Sequence, residues 1–146
     1  MKMIAFEEKT EKRIEEGSLF QGAKEKYKEA QKAYDAQDWD GCLNNLNTAF
    51  ELILKEKLDI PTTIKGVKTA NIVEILVKHD VGPVLFLKEA RKHVTNVDNS
   101  VKHDGYEANK IDCIPALKSM EDLIRKLDNT ELKIADEIKK KIYGDL

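Results

Sequence analysis

Apolar residues recur at intervals of three and four along most of this chain, and this spacing constrains the fold more than any other feature. One such run comprises Phe20, Ala23, Tyr27, Ala30 and Tyr34, and similar runs follow towards the carboxyl end. This is the period of one face of an α-helix, and no stretch shows the two-residue alternation of a half-buried β-strand. The sequence therefore predicts an all-α fold, an antiparallel up-down bundle of five to six helices joined by short connections.

Length and turn signals predict one domain over residues 1–146. Within it we expect a frayed N-terminal extension over 1–17, the main bundle over 18–128 and a C-terminal helix over 129–146. The second helix should follow the cap residue Asp38, and the third should span about 69–79. The fourth should run from Pro83 to His103 and stop at Asp104 and Gly105. A fifth helix should carry Ile111 and Ile114 on its apolar face. Pro115 either lies in the first turn of this helix, with Asp112 as its cap, or kinks it.

Composition excludes several classes of protein. The longest uninterrupted apolar run, Val84 to Leu87, is four residues long, far too short for a transmembrane helix. The first six residues lead directly into charged side chains, which is unlike a signal peptide, so we expect a cytoplasmic protein with no membrane contact. Cys42 and Cys113 lack metal-binding spacing and are interpreted as buried thiols, with no metal and no cofactor implied.

The predicted fourth helix carries two distinct faces. Its apolar residues at helical spacing should point into the bundle; they are Val84, Leu87, Ala90, Val94, Val97 and Val101. A second set, the polar stripe, should face solvent or another subunit; it consists of Lys88, Lys92, Asn96, Asn99 and His103. A stripe that ends in histidine can bind a phosphate or position an acid–base group, and the alternative is a simple solvated face. Glu51 either points into the groove beside this helix or lies at the edge of its own helix.

Charge is unevenly distributed along the chain. The net charge is −2, but residues 61–103 carry seven basic and four acidic side chains. A mildly basic middle segment can meet phosphate, although it is far from the basic stripe that identifies a nucleic-acid-binding protein by charge alone. Lys88, Lys92 and Lys102 are the candidate nucleic-acid contacts. Tyr106 is a further candidate, either stacking on a base or packing against its own bundle.

Two stretches of sequence resemble the HEPN domain family (higher eukaryotes and prokaryotes nucleotide-binding). The first is the helical hairpin around Tyr34–Leu43, which continues into Ala49–Lys55, and the second is Asn99-Ser-Val-Lys-His103-Asp-Gly105 at the end of a long helix. The resemblance spans about residues 20–127. It implies an antiparallel bundle that forms a homodimer through the helix at 83–103. It also implies an RNA-related role in toxin–antitoxin or phage-defence systems, with a nucleotidyltransferase or an antitoxin as partner.

The family motif matches this chain at Asn99, His103 and Gly105, which makes Asn99 and His103 the candidate catalytic residues. Asp98 stands where the family has an arginine that is thought to hold the scissile phosphate, and an aspartate there would repel a phosphate. Arg91, seven residues earlier, should project on nearly the same side of the helix as Asp98. We therefore expect a catalytically degenerate dimeric binding or regulatory module. The alternatives are a metal-independent endoribonuclease that uses His103 and an unrelated helical adaptor.

Overall fold

The computed structural model describes residues 21–60, 68–128, 132 and 136–143, and this part of the chain is helical without any strand. The all-α prediction is therefore confirmed. Its helices are α1 (Gln21–Asp35), α2 (Trp39–Lys57), α3 (Thr69–Lys78), α4 (the consecutive segments Val84–Ala90, Arg91–Thr95 and Asn96–Asp104), α5 (Lys110–Asp128) and α6 (Asp136–Tyr143). The predicted extension 1–17, most of the loop that the sequence places at 59–68, and Thr130, which it offers as a cap for the last helix, lie outside the described residues. None of the described helices combines the length and apolarity that crossing a lipid bilayer requires.

Local sequence explains where the helices begin and end. Asp38 caps α2 as predicted, because its Oδ1 accepts a hydrogen bond from the Gly41 backbone N–H at 3.0 Å. Gly105 ends α4 in the left-handed conformation (φ 69°), which glycine adopts without a steric penalty.

Of the two placements left open for Pro115, the one in the first turn of α5, with Asp112 as the cap, is wrong. Asn109 Oδ1 accepts from the backbone N–H groups of Ile111 and Asp112, at 2.9 and 3.2 Å. Asp112 Oδ2 in turn accepts from the Asn109 N–H at 3.0 Å, so the two residues form a reciprocal cap. Because α5 starts at Lys110, Pro115 lies inside the helix beyond its first turn. Ile111 and Ile114, on the predicted apolar face, are 79% and 44% exposed.

The core is centred on α2, which packs against α1, α3, α4 and α5. Its largest fully buried side chains include Phe50, Leu43 and Leu46 from α2, with Leu87 from α4 and Leu117 from α5. Replacing a buried phenylalanine such as Phe50 by alanine costs about 3–5 kcal/mol, so α2 contributes heavily to stability. Cys42 and Cys113 are free and buried, as predicted.

A π-helical turn at Arg91–Thr95 interrupts α4. It is closed by the hydrogen bond from the Asn96 N–H to the Arg91 carbonyl, five residues earlier. One extra residue in a turn rotates everything after it by about 100° relative to a regular helix. As a result Thr95 and Asp98 are buried, whereas Val97 and Val101, predicted to point into the bundle, are only half-buried at its edge.

Candidate functional site

The candidate site is a groove of about 500 Å³ between α2, the start of α3 and the end of α4. We call it the His103 groove. Asn99, Lys102 and His103 of α4 line one wall, and Lys68 and Thr69 at the start of α3 line another. The structure thus brings together both candidate catalytic residues and one of the three candidate nucleic-acid contacts.

Asn99 and His103 lie one turn apart on α4 and are both exposed. His103 forms no hydrogen bond or ion pair with another described residue. An exposed imidazole beside an amide can contact a ligand phosphate or transfer a proton. It lacks a carboxylate or other group to orient it for general acid–base catalysis.

Asp98 lies beneath the wall of the groove and is only 1% exposed. Its Oδ2 accepts a hydrogen bond from Asn47 Nδ2 of α2 at 3.1 Å and lies 2.7 Å from Lys102 Nζ. Thr95 Oγ1 donates to Asn47 Oδ1 at 2.9 Å, which fixes the orientation of the Asn47 amide. The buried carboxylate is therefore compensated by one cation and one amide, and it links α4 to α2.

This network corrects two expectations from the sequence. The Asp98 carboxylate does not project freely into the groove as a charge that repels phosphate, because it points inward and is paired with Lys102. Arg91 does not share a side with Asp98: it lines a different groove, against α3, whereas Asp98 bonds to α2. The π-helical turn between them supplies the physical reason, since it adds about 100° of rotation that a regular helix lacks.

The electrostatics of the His103 groove favour an anion. Lys68 is exposed and forms no ion pair within the described residues. Helix α3 begins at Thr69, which lines the groove, so the positive end of the helix dipole faces the groove. The N-cap residue Lys68 makes no side-chain capping bond to this helix end. Glu51 also lines the groove, as one sequence interpretation had it, but Lys55 Nζ lies 2.9 Å from its Oε1 and offsets its charge.

The remaining candidate contacts, Lys88 and Lys92, lie outside the His103 groove. With Asn96 they line an adjoining groove of about 420 Å³ between α3 and α4, together with Arg91 and Lys78. We call it the Arg91 groove. All five residues of the polar stripe are exposed, and they follow the side of α4 that faces α3.

Tyr106 takes no part in the His103 groove. Its hydroxyl donates a hydrogen bond to Asp112 Oδ2 at 2.9 Å, which raises the pKa of Tyr106 and ties the ring to the start of α5. The ring is 42% exposed. Of the two interpretations of Tyr106, the structure favours contact with its own bundle.

Neither the two thiols, which are both fully buried, nor the carboxylates offer a second reactive site in the described part of the chain. The hydrogen bond to Cys113, with burial, raises the pKa of the Cys42 thiol, so Cys42 is not poised as a nucleophile. Within the described ranges, no three His, Cys, Asp or Glu side chains come together as potential metal ligands.

Sequence reasoning missed Asn47, Thr95 and Lys68. Asn47 carried a usable signal, because it lies between Leu43 and Phe50 at spacings of four and three, on a face that is otherwise apolar. A polar residue in such a position must find a partner inside the bundle. Thr95 carried no such signal, because its buried position depends on the π-helical turn.

No family model matches the chain, and neither the search of curated proteins nor that of solved structures returned a match. The resemblance to HEPN domains therefore stays a hypothesis that rests on the residues quoted above.

Proposed function

We propose that this chain is a HEPN-like RNA-binding module that does not cleave RNA. One combination of features carries the proposal. Asn99 and His103 line a cationic, exposed groove, whereas Asp98, at the position of the family's arginine, is buried. The groove has what is needed to hold a phosphate, but the cation that would grip the scissile phosphate is replaced by a carboxylate that holds the fold together.

Phosphate binding is supported by three groups that face the same space. Lys68 supplies an ammonium that has no ion-pair partner among the described residues, the first turn of α3 supplies the positive end of a helix dipole, and Asn99 supplies an amide donor. Lys102 contributes less, because Asp98 already neutralises it at 2.7 Å. Binding through such contacts is weak for each phosphate and depends strongly on salt.

The experiment measures RNA binding and RNA cleavage on the same samples. Fluorescence anisotropy with a labelled single-stranded RNA should show salt-dependent binding, and gels run in EDTA should show that total RNA and tRNA stay intact. The double variant Asn99→Ala/His103→Ala should weaken binding about tenfold, the loss of one or two polar contacts. Lys110→Gln, an exposed lysine outside both grooves, is the matched control. A wild type that binds no RNA contradicts the proposal.

The alternative of a metal-independent endoribonuclease rests on one observation, the exposed imidazole of His103 in a cationic groove. It predicts cleavage in EDTA that disappears in His103→Ala. An unrelated helical adaptor would be favoured by a buried His103, whereas this residue is exposed.

The module is proposed to act as a homodimer through α4, within a regulatory system such as a toxin–antitoxin or phage-defence pair. Leu85 in the first turn of α4 is 73% exposed, a large apolar side chain that association would cover. Sedimentation velocity at several concentrations should show a dimer that Leu85→Glu shifts towards monomer. A wild type that stays monomeric at high concentration contradicts this part of the proposal.

A further inference from the structure

The Arg91 groove is a positively charged surface of the described chain that the proposed function leaves unused. Its basic side chains are Lys78 of α3 and Lys88, Arg91 and Lys92 of α4, and Glu74 is its single acidic side chain. None of the four basic residues forms an ion pair within the described residues. Such a concentration of unpaired cations is costly to the fold unless an anion neutralises it.

The Arg91 groove and the His103 groove follow one another along a single seam. Thr69 at the start of α3 faces Asn99 and His103, whereas Lys78 at its end lies opposite Lys88, so α3 and α4 are antiparallel neighbours. Asn96 lines the Arg91 groove, and Asn99, on the next turn, lines the His103 groove. The seam from Lys88 to His103 is about 22 Å long at about 1.5 Å per residue. That length suits a site of about four nucleotides, the short end of single-strand binding sites.

We propose that the Arg91 groove holds the phosphate backbone of a single-stranded RNA whose other end occupies the His103 groove. This inference rests on the proposed function, because it extends that site along the seam. The Arg91 guanidinium, half-buried at the π-helical turn, can grip a phosphate with two parallel hydrogen bonds, and the three lysines act as point charges.

The chemistry of the seam also predicts how selective the binding is. No Phe, Tyr or Trp side chain lines either groove in the described part of the chain, so the His103 imidazole is the one ring there on which a base can stack. Binding that is dominated by phosphate contacts, with little stacking or base-edge readout, tolerates most sequences and loses affinity steeply with salt. A groove of about 420 Å³ between two helices offers room for one strand, and we expect a single strand to bind there more tightly than a duplex.

The test compares uridine oligonucleotides of two, four and eight residues and an eight-base-pair RNA duplex by fluorescence anisotropy over a range of salt concentrations. The tetranucleotide should bind about tenfold more tightly than the dinucleotide, because the dinucleotide is too short to span both grooves. The octanucleotide should bind little more tightly than the tetranucleotide. The double variant Lys88→Gln/Lys92→Gln should weaken tetranucleotide binding about tenfold and reduce the salt slope by about 1.4, or 0.7 for each lost contact. Arg91→Gln should act in the same direction, and Lys110→Gln should change nothing.

Three results would each overturn the inference. They are equal affinity for the dinucleotide and the tetranucleotide, an unchanged salt slope in Lys88→Gln/Lys92→Gln, and a duplex that binds as tightly as the tetranucleotide. If the dinucleotide still binds and only Asn99→Ala/His103→Ala weakens it, the seam fails while the proposed function stands. If the wild type binds none of these oligonucleotides, the proposed function fails and the seam with it. Circular dichroism of each variant confirms that a lost affinity is not a lost fold.

Discussion

On the side of α4 that faces α5, charged side chains neutralise one another, whereas on the side that faces α3 they do not. Towards α5, Lys118 Nζ lies 3.1 Å from Asp122 Oδ1, and His93 Nε2 forms a hydrogen bond with Glu89 Oε2 at 3.1 Å. Towards α3, the cations of the Arg91 groove have no such partners among the described residues. The charges on the side that faces α5 therefore stabilise the fold, whereas the cations on the side that faces α3 are available to bind a ligand.

Asp98 faces α2 and is paired with Lys102, and its replacement should give the largest effect. Asp98→Arg should destabilise the fold by about 3 kcal/mol or more, because it buries a second cation beside Lys102 and removes the acceptor for Asn47. Urea denaturation measures the change. Asp98→Asn, which keeps an acceptor for Asn47, should cost less. If Asp98→Arg proved as stable as the wild type, the carboxylate would not be the buried link between α2 and α4 described above.

On the side of α4 that faces α5, removing one cation should lower the stability of the protein. Lys118 Nζ contacts Asp122 and lies 3.7 Å from Glu121 Oε1, and the Asp122 carboxylate raises the pKa of Lys118. Lys118→Gln should lower the free energy of unfolding by about 0.5–1 kcal/mol, in the range of exposed ion pairs, and more at low salt than at high salt. A stability that does not change at low salt would show that this side is not stabilised by its charges.

Replacing a lysine by glutamine on the side of α4 that faces α3 should instead raise the free energy of unfolding. Lys88 and Lys92 lie one turn apart on α4 and repel each other. Lys92→Gln should therefore stabilise the protein by about 0.2–0.5 kcal/mol at low salt, with the gain vanishing at high salt. Thermal unfolding at two salt concentrations, with Lys118→Gln measured beside it, tests the contrast. A loss of stability in Lys92→Gln would mean that Lys92 has a favourable partner after all.

The smallest effect concerns pH. Glu121 is 3% exposed, and burial raises the pKa of its carboxyl group, partly offset by Lys118 and Arg125. The folded protein therefore keeps this proton at pH values where the unfolded chain has lost it. The stability that Glu121 contributes is full below its unfolded pKa and falls as the pH rises through the folded value. Compared with Glu121→Gln, the wild type should lose stability between about pH 4 and pH 7.

Unfolding at pH 4 and pH 7 measures this difference between the wild type and Glu121→Gln. Glu56→Gln should shift in the same direction, because burial also raises the pKa of Glu56. A difference between wild type and Glu121→Gln that is constant with pH would show that the Glu121 carboxylate is as well solvated in the fold as in the unfolded chain.

Much of the fold could be predicted because its signals are local. Apolar spacing, the cap at Asp38 and the stop at Gly105 each act within a few residues, and the structure confirms all three. The cap of α5 was misassigned since Asn109 and Asp112 are both good cap residues, and their reciprocal bonding depends on backbone geometry. Ile111 and Ile114 were misplaced because periodicity says which residues share a face, but not whether another helix covers it.

The sequence by itself determined that this chain is helical and that one side of its fourth helix is polar and ends in His103. Only the tertiary structure decided which charges are neutralised. Arg91 and Asp98, seven residues apart, would share a side of a regular helix, yet Asp98 is buried against Asn47 of α2 and Arg91 lines the Arg91 groove against α3. The reason is the π-helical turn between Arg91 and Thr95, which no local pattern signals and which rotates the end of α4 by about 100°.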